Sequence, residues 1–325
     1  MAVNVAAWVD PVRQPEPGRL RAWHLVCPSE ALGRGQVMGW SLGGRELVLF
    51  RSASGSVHAL SAHCAHMGTH LAGGTVVGEC LRCPLHHWCF DGGGACRAVP
   101  GPPDAEGRPG QRAFPVVERH GAILVFNGPV VLFPPPDAGG PGLRWSTGPA
   151  VTVRCGWLPV VANAFDLEHL RTVHHRELAD APTVERPDPF TFRLRYTSRV
   201  TGTGLSDRLM KALSGNRIRV AITLHGGTLL SVESDLGRTR GALVVGLHPV
   251  PEGLSVRLAF AARQGPLSRL SLAVSRWLFT SFLRRDLSVL HGMRFNAAGA
   301  AGDAVLRQLL DFTASLPEDR DDERG

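Results

Sequence analysis

Between Leu20 and Phe133 short apolar runs recur at Trp23 to Val26, Glu46 to Phe50, Val57 to Leu60, Phe114 to Val117 and Ile123 to Phe126, separated by Gly, Pro, Ser and Asp. This punctuation predicts the strands of a small all-β unit. The cluster Pro134, Pro135, Pro136, Gly139, Gly140 and Pro141 reads as a linker. Beyond it Asn163 to Leu178 predicts a helix. Phe192, Leu194 and Tyr196, then Ile218, Val220, Ile222 and Leu224, alternate with polar residues as half-buried strands do. Further strands are expected at Leu229 to Glu233, Ala242 to Leu247 and Leu254 to Ala261, followed by a long helix from about Leu267 to Phe295. An antiparallel sheet wrapped on a long helix is an α+β arrangement able to enclose a pocket. The expected division is an arm over residues 1–19, an all-β domain over 20–135, a larger domain over 136–316 and a flexible tail over 317–325.

Composition narrows the class without deciding it. The 325 residues allow two domains with real cores, and 44% hydrophobic with 19% charged residues is ordinary for a globular chain. The net charge of +7 raises nucleic acid or anionic lipid as partners, but the arginines are scattered, Lys211 is the only lysine, and no basic block is interleaved with aromatics. Nucleic-acid binding is not expected; a basic face suits an acidic electron-donor protein. Seven cysteines without secreted-scaffold spacing suit a reducing compartment, so a cytoplasmic location is expected. Met1 to Asp10 has no basic residue ahead of an apolar run, so no signal peptide is expected, and Arg269 and Arg276 interrupt the most apolar later stretch, so no transmembrane segment is expected. Gly202 to Gly204 lacks the third glycine and the following helix of a dinucleotide loop, and no NAD or flavin domain is expected.

Two constellations carry chemistry. Cys64 and His66, then Cys83 and His86, form CxH and CxxH with sixteen residues between the pairs. Two thiolates on one iron and two imidazoles on the other make a Rieske [2Fe-2S] centre. The alternative is tetrahedral zinc on Cys64, Cys80, Cys83 and Cys89, which would leave His66 and His86 without a role.

The second is Asn163, Asp166, His169 and His174 in NAFDLEHLRTVHH. Asp166 and His169 are three apart, so on a helix the carboxylate could accept from the imidazole N–H and fix its tautomer. His169 and His174 are five apart, too far around a regular helix for one metal, so the helix should widen into a π-type turn or end near Val173. Asp286 has Phe282, Leu283, Val289 and Leu290 at i±3 and i±4, and a carboxylate on such a face is costly unless paired or metal-bound. Two imidazoles, one carboxylate and open positions make a non-haem Fe(II) site for oxygen chemistry. His175, His225, His248 and His291 read as structural.

CAHMG from Cys64 and CPLHHW from Cys83 resemble the two ligand loops of Rieske proteins, with His87 standing where the family usually has Gly. DxxHxxxxH ending at His174, and RRDLSVL around Asp286, resemble the mononuclear iron segments of Rieske non-haem iron oxygenase catalytic (α) subunits. That resemblance implies a Rieske domain followed by a helix-grip (START-like) catalytic domain, with Cys64, His66, Cys83 and His86 holding the cluster and His169, His174 and Asp286 holding Fe(II). It implies Asn163 and Asp166 as catalytic residues, an external ferredoxin or flavin reductase, O2, and a homotrimer in which Asp166 joins His86 of one subunit to His169 of the next. The short catalytic domain and the first motif's spacing look more like monooxygenases that hydroxylate, demethylate or desaturate apolar molecules, steroid-acting members included. An aromatic-ring dihydroxylating dioxygenase is the alternative, and an electron carrier without its own catalysis the more distant one. Leu224, Phe282 and Leu283 are expected to line the pocket.

Overall fold

A computed structural model describes residues 13–101, 107–237, 239–265 and 268–319. Four sheets stack in succession, and alternation along the strands explains the order. β1 (Trp23–Pro28), β10 (Val116–Arg119) and β11 (Ala122–Phe126) form a three-stranded antiparallel sheet in the order β1-β11-β10. Along β11, Leu124 and Phe126 enter the large core of the C-terminal half, whereas Ile123 and Val125 enter a second core. Because both faces are covered, the strand reads as an unbroken apolar run, AILVF.

The second core is closed by the sheet β2 (Val37–Leu42), β3 (Arg45–Arg51), β4 (Val57–Ser61) and β9 (Ala113–Phe114). Its central strand repeats the device: Leu47 and Leu49 face the second core, Val48 and Phe50 a third. That third core roots the sheet β5 (Thr75–Val77), β6 (Cys80–Arg82), β7 (Cys89–Phe90) and β8 (Cys96–Ala98), and includes Cys64 and Cys83.

The C-terminal half is built on one large antiparallel sheet. Its strands are β12 (Leu143–Val153), β13 (Arg176–Leu178), β14 (Thr183–Asp188), β15 (Thr191–Val200), β16 (Ile218–His225), β17 (Leu229–Asp235), β18 (Arg240–Val250) and β19 (Gly253–Arg263), in the order β12-β19-β18-β17-β16-β15-β13 with β14 also on β15. Four helices bear on the site: α1 (Trp157–Phe165), α2 (Glu168–Thr172), α3 (Leu205–Ser214) and α4 (Ser268–Leu290). The halves meet closely: a Cβ at Gly246 of β18 would lie 2.6 Å from Leu25 Cβ of β1, so only glycine fits there.

Four expectations need correction. No helix is expected after Gly204, yet α3 begins at Leu205, with Gly204 at its N-cap and the Gly204 N–H donating to Asp207 Oδ2. The helix expected over Asn163 to Leu178 is two shorter helices followed by β13, because the chain turns at Asp166 and reverses at His175, which sits at φ 52°. The long helix ends at Leu290 and not near Phe295, where Gly292 adopts φ 77°. The tail expected to hang free from residue 317 is pinned at its start: the Arg21 N–H donates to Pro317 O, and the buried Asp319 carboxylate pairs with Arg45 at 3.0 Å and Arg112 at 2.9 Å. Residues 1–12 of the expected arm, 102–106 of the loop after the second motif, and 320–325 lie outside the described residues.

Candidate metal centres

The two cysteine loops are built alike. In the first, the Gly68 N–H donates to Cys64 O at 2.7 Å and the Cys64 N–H to Thr69 O at 2.9 Å. In the second, the His87 N–H donates to Cys83 O at 3.2 Å and the Cys83 N–H to Trp88 O at 2.8 Å. Each loop reverses through a left-handed residue at its fifth position, Gly68 at φ 74° and His87 at φ 59°. A β-carbon makes that conformation costly at His87 and free at Gly68. The thiols are buried, while the His66 and His86 rings lie 4.8 Å apart at the exposed end, flanked by exposed Met67 and Leu85. The His66 ring stacks on Trp88 at 4.3 Å. Burial, joined by a hydrogen bond from Cys83, pushes the Cys64 thiol up. Two adjacent buried thiolates are tenable only against a cation, and a donor set of two inner sulfurs and two outer imidazoles fits a Rieske cluster.

The second constellation converges at the other end of the stack. The donor atoms of His169, His174 and Asp286 lie within 4.8 Å of one another. His174 Nε2 donates to Asp286 Oδ1 at 2.7 Å, and His169 Nε2 lies 3.6 Å from the same oxygen. The spacing problem of five residues is solved by ending the helix: α2 stops at Thr172, and His174 N–H reaches back to His169 O at 3.4 Å, an i to i+5 contact. Phe282 of α4 stacks on the His174 ring at 3.4 Å. Burial pushes the His174 imidazole down in spite of Asp286, keeping it neutral as a metal ligand must be, and its Nδ1 is buried with no hydrogen-bond partner.

The Asp166 carboxylate does not take the hydrogen bond from His169 that helical spacing predicts within the chain. His169 Nδ1 donates to the Asp166 backbone carbonyl at 2.6 Å, with Asp166 Oδ2 at 3.8 Å. The carboxylate is engaged elsewhere: Oδ1 accepts the Glu168 N–H at 2.8 Å, the turn that separates α1 from α2. The tautomer of His169 is therefore set by backbone, leaving Nε2 toward Asp286.

A cavity of about 210 Å³ opens beside this triad. Asn163, Val220, Ile222, Leu243, Phe282 and Leu283 are among its walls, with His169 and Asp286. Leu224 is instead fully buried in the core, deeper along the β16 face that Val220 and Ile222 share. Sequence reasoning missed the charged rim: Arg176, Asp207 and Arg285 also border the cavity. Arg176 Nη1 donates to Asp207 Oδ1 at 2.9 Å, and Arg285 Nη2 lies 3.7 Å from Oδ2. Burial alone would raise the Asp207 carboxyl, but Arg176 and Arg285 outweigh it and hold it below the ordinary carboxylate range. An isolated GTGLSD gives no sign of this; only the neighbours of the iron segments, Arg176 and Arg285, were adjacent to flagged residues.

Residues 22–115 match the Rieske [2Fe-2S] domain family. That stretch contains all four candidate cluster ligands, Cys64, His66, Cys83 and His86. Among the chain's relatives, the 3-ketosteroid-9-alpha-monooxygenase oxygenase component of Rhodococcus rhodochrous is 29% identical over 50% of this chain and 47% of its own length. Cholesterol 7-desaturase nvd of Bombyx mori is 32% identical over 48% of this chain and 36% of its own. The chain thus spans half or less of the length of these curated relatives. In overall fold it is similar to dicamba monooxygenase bound to 3,6-dichlorosalicylic acid, with TM-score 0.66, 22% identity and coverage of 90% of this chain and 97% of that one. NdmB of Pseudomonas putida CBB5 gives TM-score 0.67 at 19% identity, covering 94% and 93%. Among the described residues no helix is long and apolar enough to cross a membrane.

Proposed function

We propose that this chain oxidises an apolar small molecule with O2, monooxygenation being favoured over dioxygenation, at a mononuclear iron held by His169, His174 and Asp286. The observation that carries this is the convergence of His169, His174 and Asp286, with His169 and Asp286 on the wall of a cavity lined mainly by apolar side chains. Cys64, His66, Cys83 and His86 would hold the cluster that takes electrons from an external ferredoxin or reductase. Iron in the triad, when bound, would supply dioxygen activation.

The remaining chemistry belongs to the chain. The Asp166 carbonyl orients His169, the Phe282 ring fixes His174 by stacking, and the buried Asp286 carboxylate is held beside His174. Ile222, Leu243 and Phe282 position the reacting carbon by apolar contact and exclude water. Asn163, on the inner side of α1, offers an amide at the cavity wall to orient a bound polar group. The relatives named for 3-ketosteroid monooxygenation and cholesterol desaturation support a substrate of polycyclic, largely apolar character.

His66 and His86 are exposed, with exposed Met67 and Leu85 beside them, on the loops rooted in the third core. This supports a head-to-tail ring of three chains in which those histidines dock near Asp166 of a neighbour. Light scattering should give a trimer, and a monomer with full turnover would overturn the ring. The function is tested by anaerobic reduction followed by single turnover with steroids, aromatics, and methoxy- or N-methyl compounds under O2. Oxygen-dependent product from one of them is expected; an iron-loaded protein that reduces and reoxidises with no product across the panel would refute it.

A further inference from the structure

α3 is attached to the molecule in an unusual way. Across its ten residues, Leu205–Ser214, the sole buried residue is Asp207, and its first residue, Leu205, is 75% exposed. A helix on a protein surface is ordinarily held by an apolar face sunk into the core; here Leu209, Met210 and Leu213 are only half-buried, and the one fully buried side chain is a carboxylate. That carboxylate crosses to Arg176 and Arg285, and both arginines stand beside proposed iron ligands, two residues after His174 and one before Asp286. Ser206, Asp207 and Met210 form part of the cavity wall, so the helix lies over the space beside the triad.

The connecting chain is shaped around the same carboxylate. A Cβ at Gly202 would sit 2.2 Å from Asp207 Oδ2 and 2.6 Å from its Cγ, and Gly202 has an ordinary backbone that any residue could adopt. Glycine is therefore required there by the ion pair and not by the turn. The Gly204 N–H donates to the same oxygen at 3.2 Å, Lys211 Nζ donates to Gly202 O at 2.9 Å, and the helix leaves through Gly215 at φ 58°. With α3 in place the enclosed space is about 210 Å³, below the roughly 300 to 1,000 Å³ common for ligand pockets.

We infer that α3 is a lid over the substrate cavity, held shut by an ionic latch in which Asp207 engages Arg176 and Arg285. The inference rests on the cavity being the substrate site, as proposed above. Asp207 is a positioning residue: it touches no reacting atom, and it ties closure of the lid to the two segments that carry His174 and Asp286. Apolar ligands enter when the latch opens locally, without the large sheet unfolding.

Amide hydrogen exchange on the iron-loaded full chain tests the latch directly. In the unsubstituted protein residues 205–214 should exchange by local opening well ahead of β15 and β16, and should slow when the apolar naphthalene ketone dye prodan occupies the cavity. Asp207→Asn removes the charge, and Gly202→Ala expels the carboxylate while keeping every charge; each should speed exchange in 205–214 about tenfold with the sheet unaffected, and each should speed prodan entry in stopped-flow fluorescence. Protection of α3 equal to that of β16 in the unsubstituted protein overturns the lid even if neither variant folds. So does a pair of folded variants with unchanged α3 exchange, or with faster exchange spread across the sheet. Loss of iron or product bears on the oxygenase reading, whereas these exchange and entry rates bear on the latch alone.

Discussion

His24 and His225 are neutral residents of the interior: burial pushes the first down to about 3 and the second down to about 4. His24 Nε2 donates to Leu20 O at 3.3 Å and its Nδ1 has no partner, so a second proton would have nowhere to go. Both rings bind protons more readily in the unfolded chain, where the reference value is 6.5. Stability should therefore fall as pH drops below about 6.5, by up to ~1.4 kcal/mol per pH unit for each ring, until about 4 for His225 and about 3 for His24. Thermal unfolding across pH 4 to 8 checks this, with His24→Gln expected to flatten the acid side. At the proposed iron site Asp286→Asn should lower bound iron from about three to about two atoms per chain while the cluster's visible spectrum persists. Full retention of iron would remove Asp286 from the ligand set. The triad was legible in sequence because its members are chemically conspicuous, but the carbonyl of Asp166 as the partner of His169 was not, since backbone acceptors leave no trace in residue identity.

At the scale of elements, the second cysteine loop carries a cost that its twin avoids. His87 occupies the left-handed region that Gly68 fills without strain. His87→Gly should relieve about 1–3 kcal/mol of backbone strain and lose about 0.4–1 kcal/mol to unfolded-state entropy, for a modest net gain in melting temperature. A fall would mean that the imidazole makes contacts that matter more. Strands β15 and β16 announced themselves by alternation because one face meets the core and the other does not. β12 did not, because most of its eleven residues are exposed or half-buried in no regular alternation. The helix Ala304–Ala314 was overlooked although its signal is present: Asp303 caps it by accepting from the Val305 and Leu306 N–H groups, and Leu306, Leu309, Leu310 and Thr313 follow at helical spacing.

For the whole molecule, Asp319 is the most informative residue outside the proposed metal sites. It sits 5% exposed between Arg45 and Arg112 of the N-terminal half, and Arg45 also donates to Asn127 Oδ1 at 2.7 Å. Asp319→Asn leaves those guanidinium groups short of a counter-charge; allowing for the partial exposure of Arg112, it should cost about 2–4 kcal/mol, read as a drop in denaturation midpoint at unchanged m-value. No change would show that the pair adds nothing to stability. The interruption at Pro134 to Pro141 is what a boundary looks like in sequence, whereas the core shared by the two halves leaves no local trace: contacts such as Leu25 against Gly246 join residues far apart in the chain.

The double-sided β11 layer makes the half that carries the Rieske motifs a poor candidate for separate life. Excised on its own, residues 20–135 would present Trp23, Leu25, Leu124 and Phe126 to water along one continuous flank, a surface that invites aggregation. Evolution or engineering that wished to lend these ligand loops to another protein would first have to repaint that flank, and a recombinant fragment should be recoverable only with polar substitutions there.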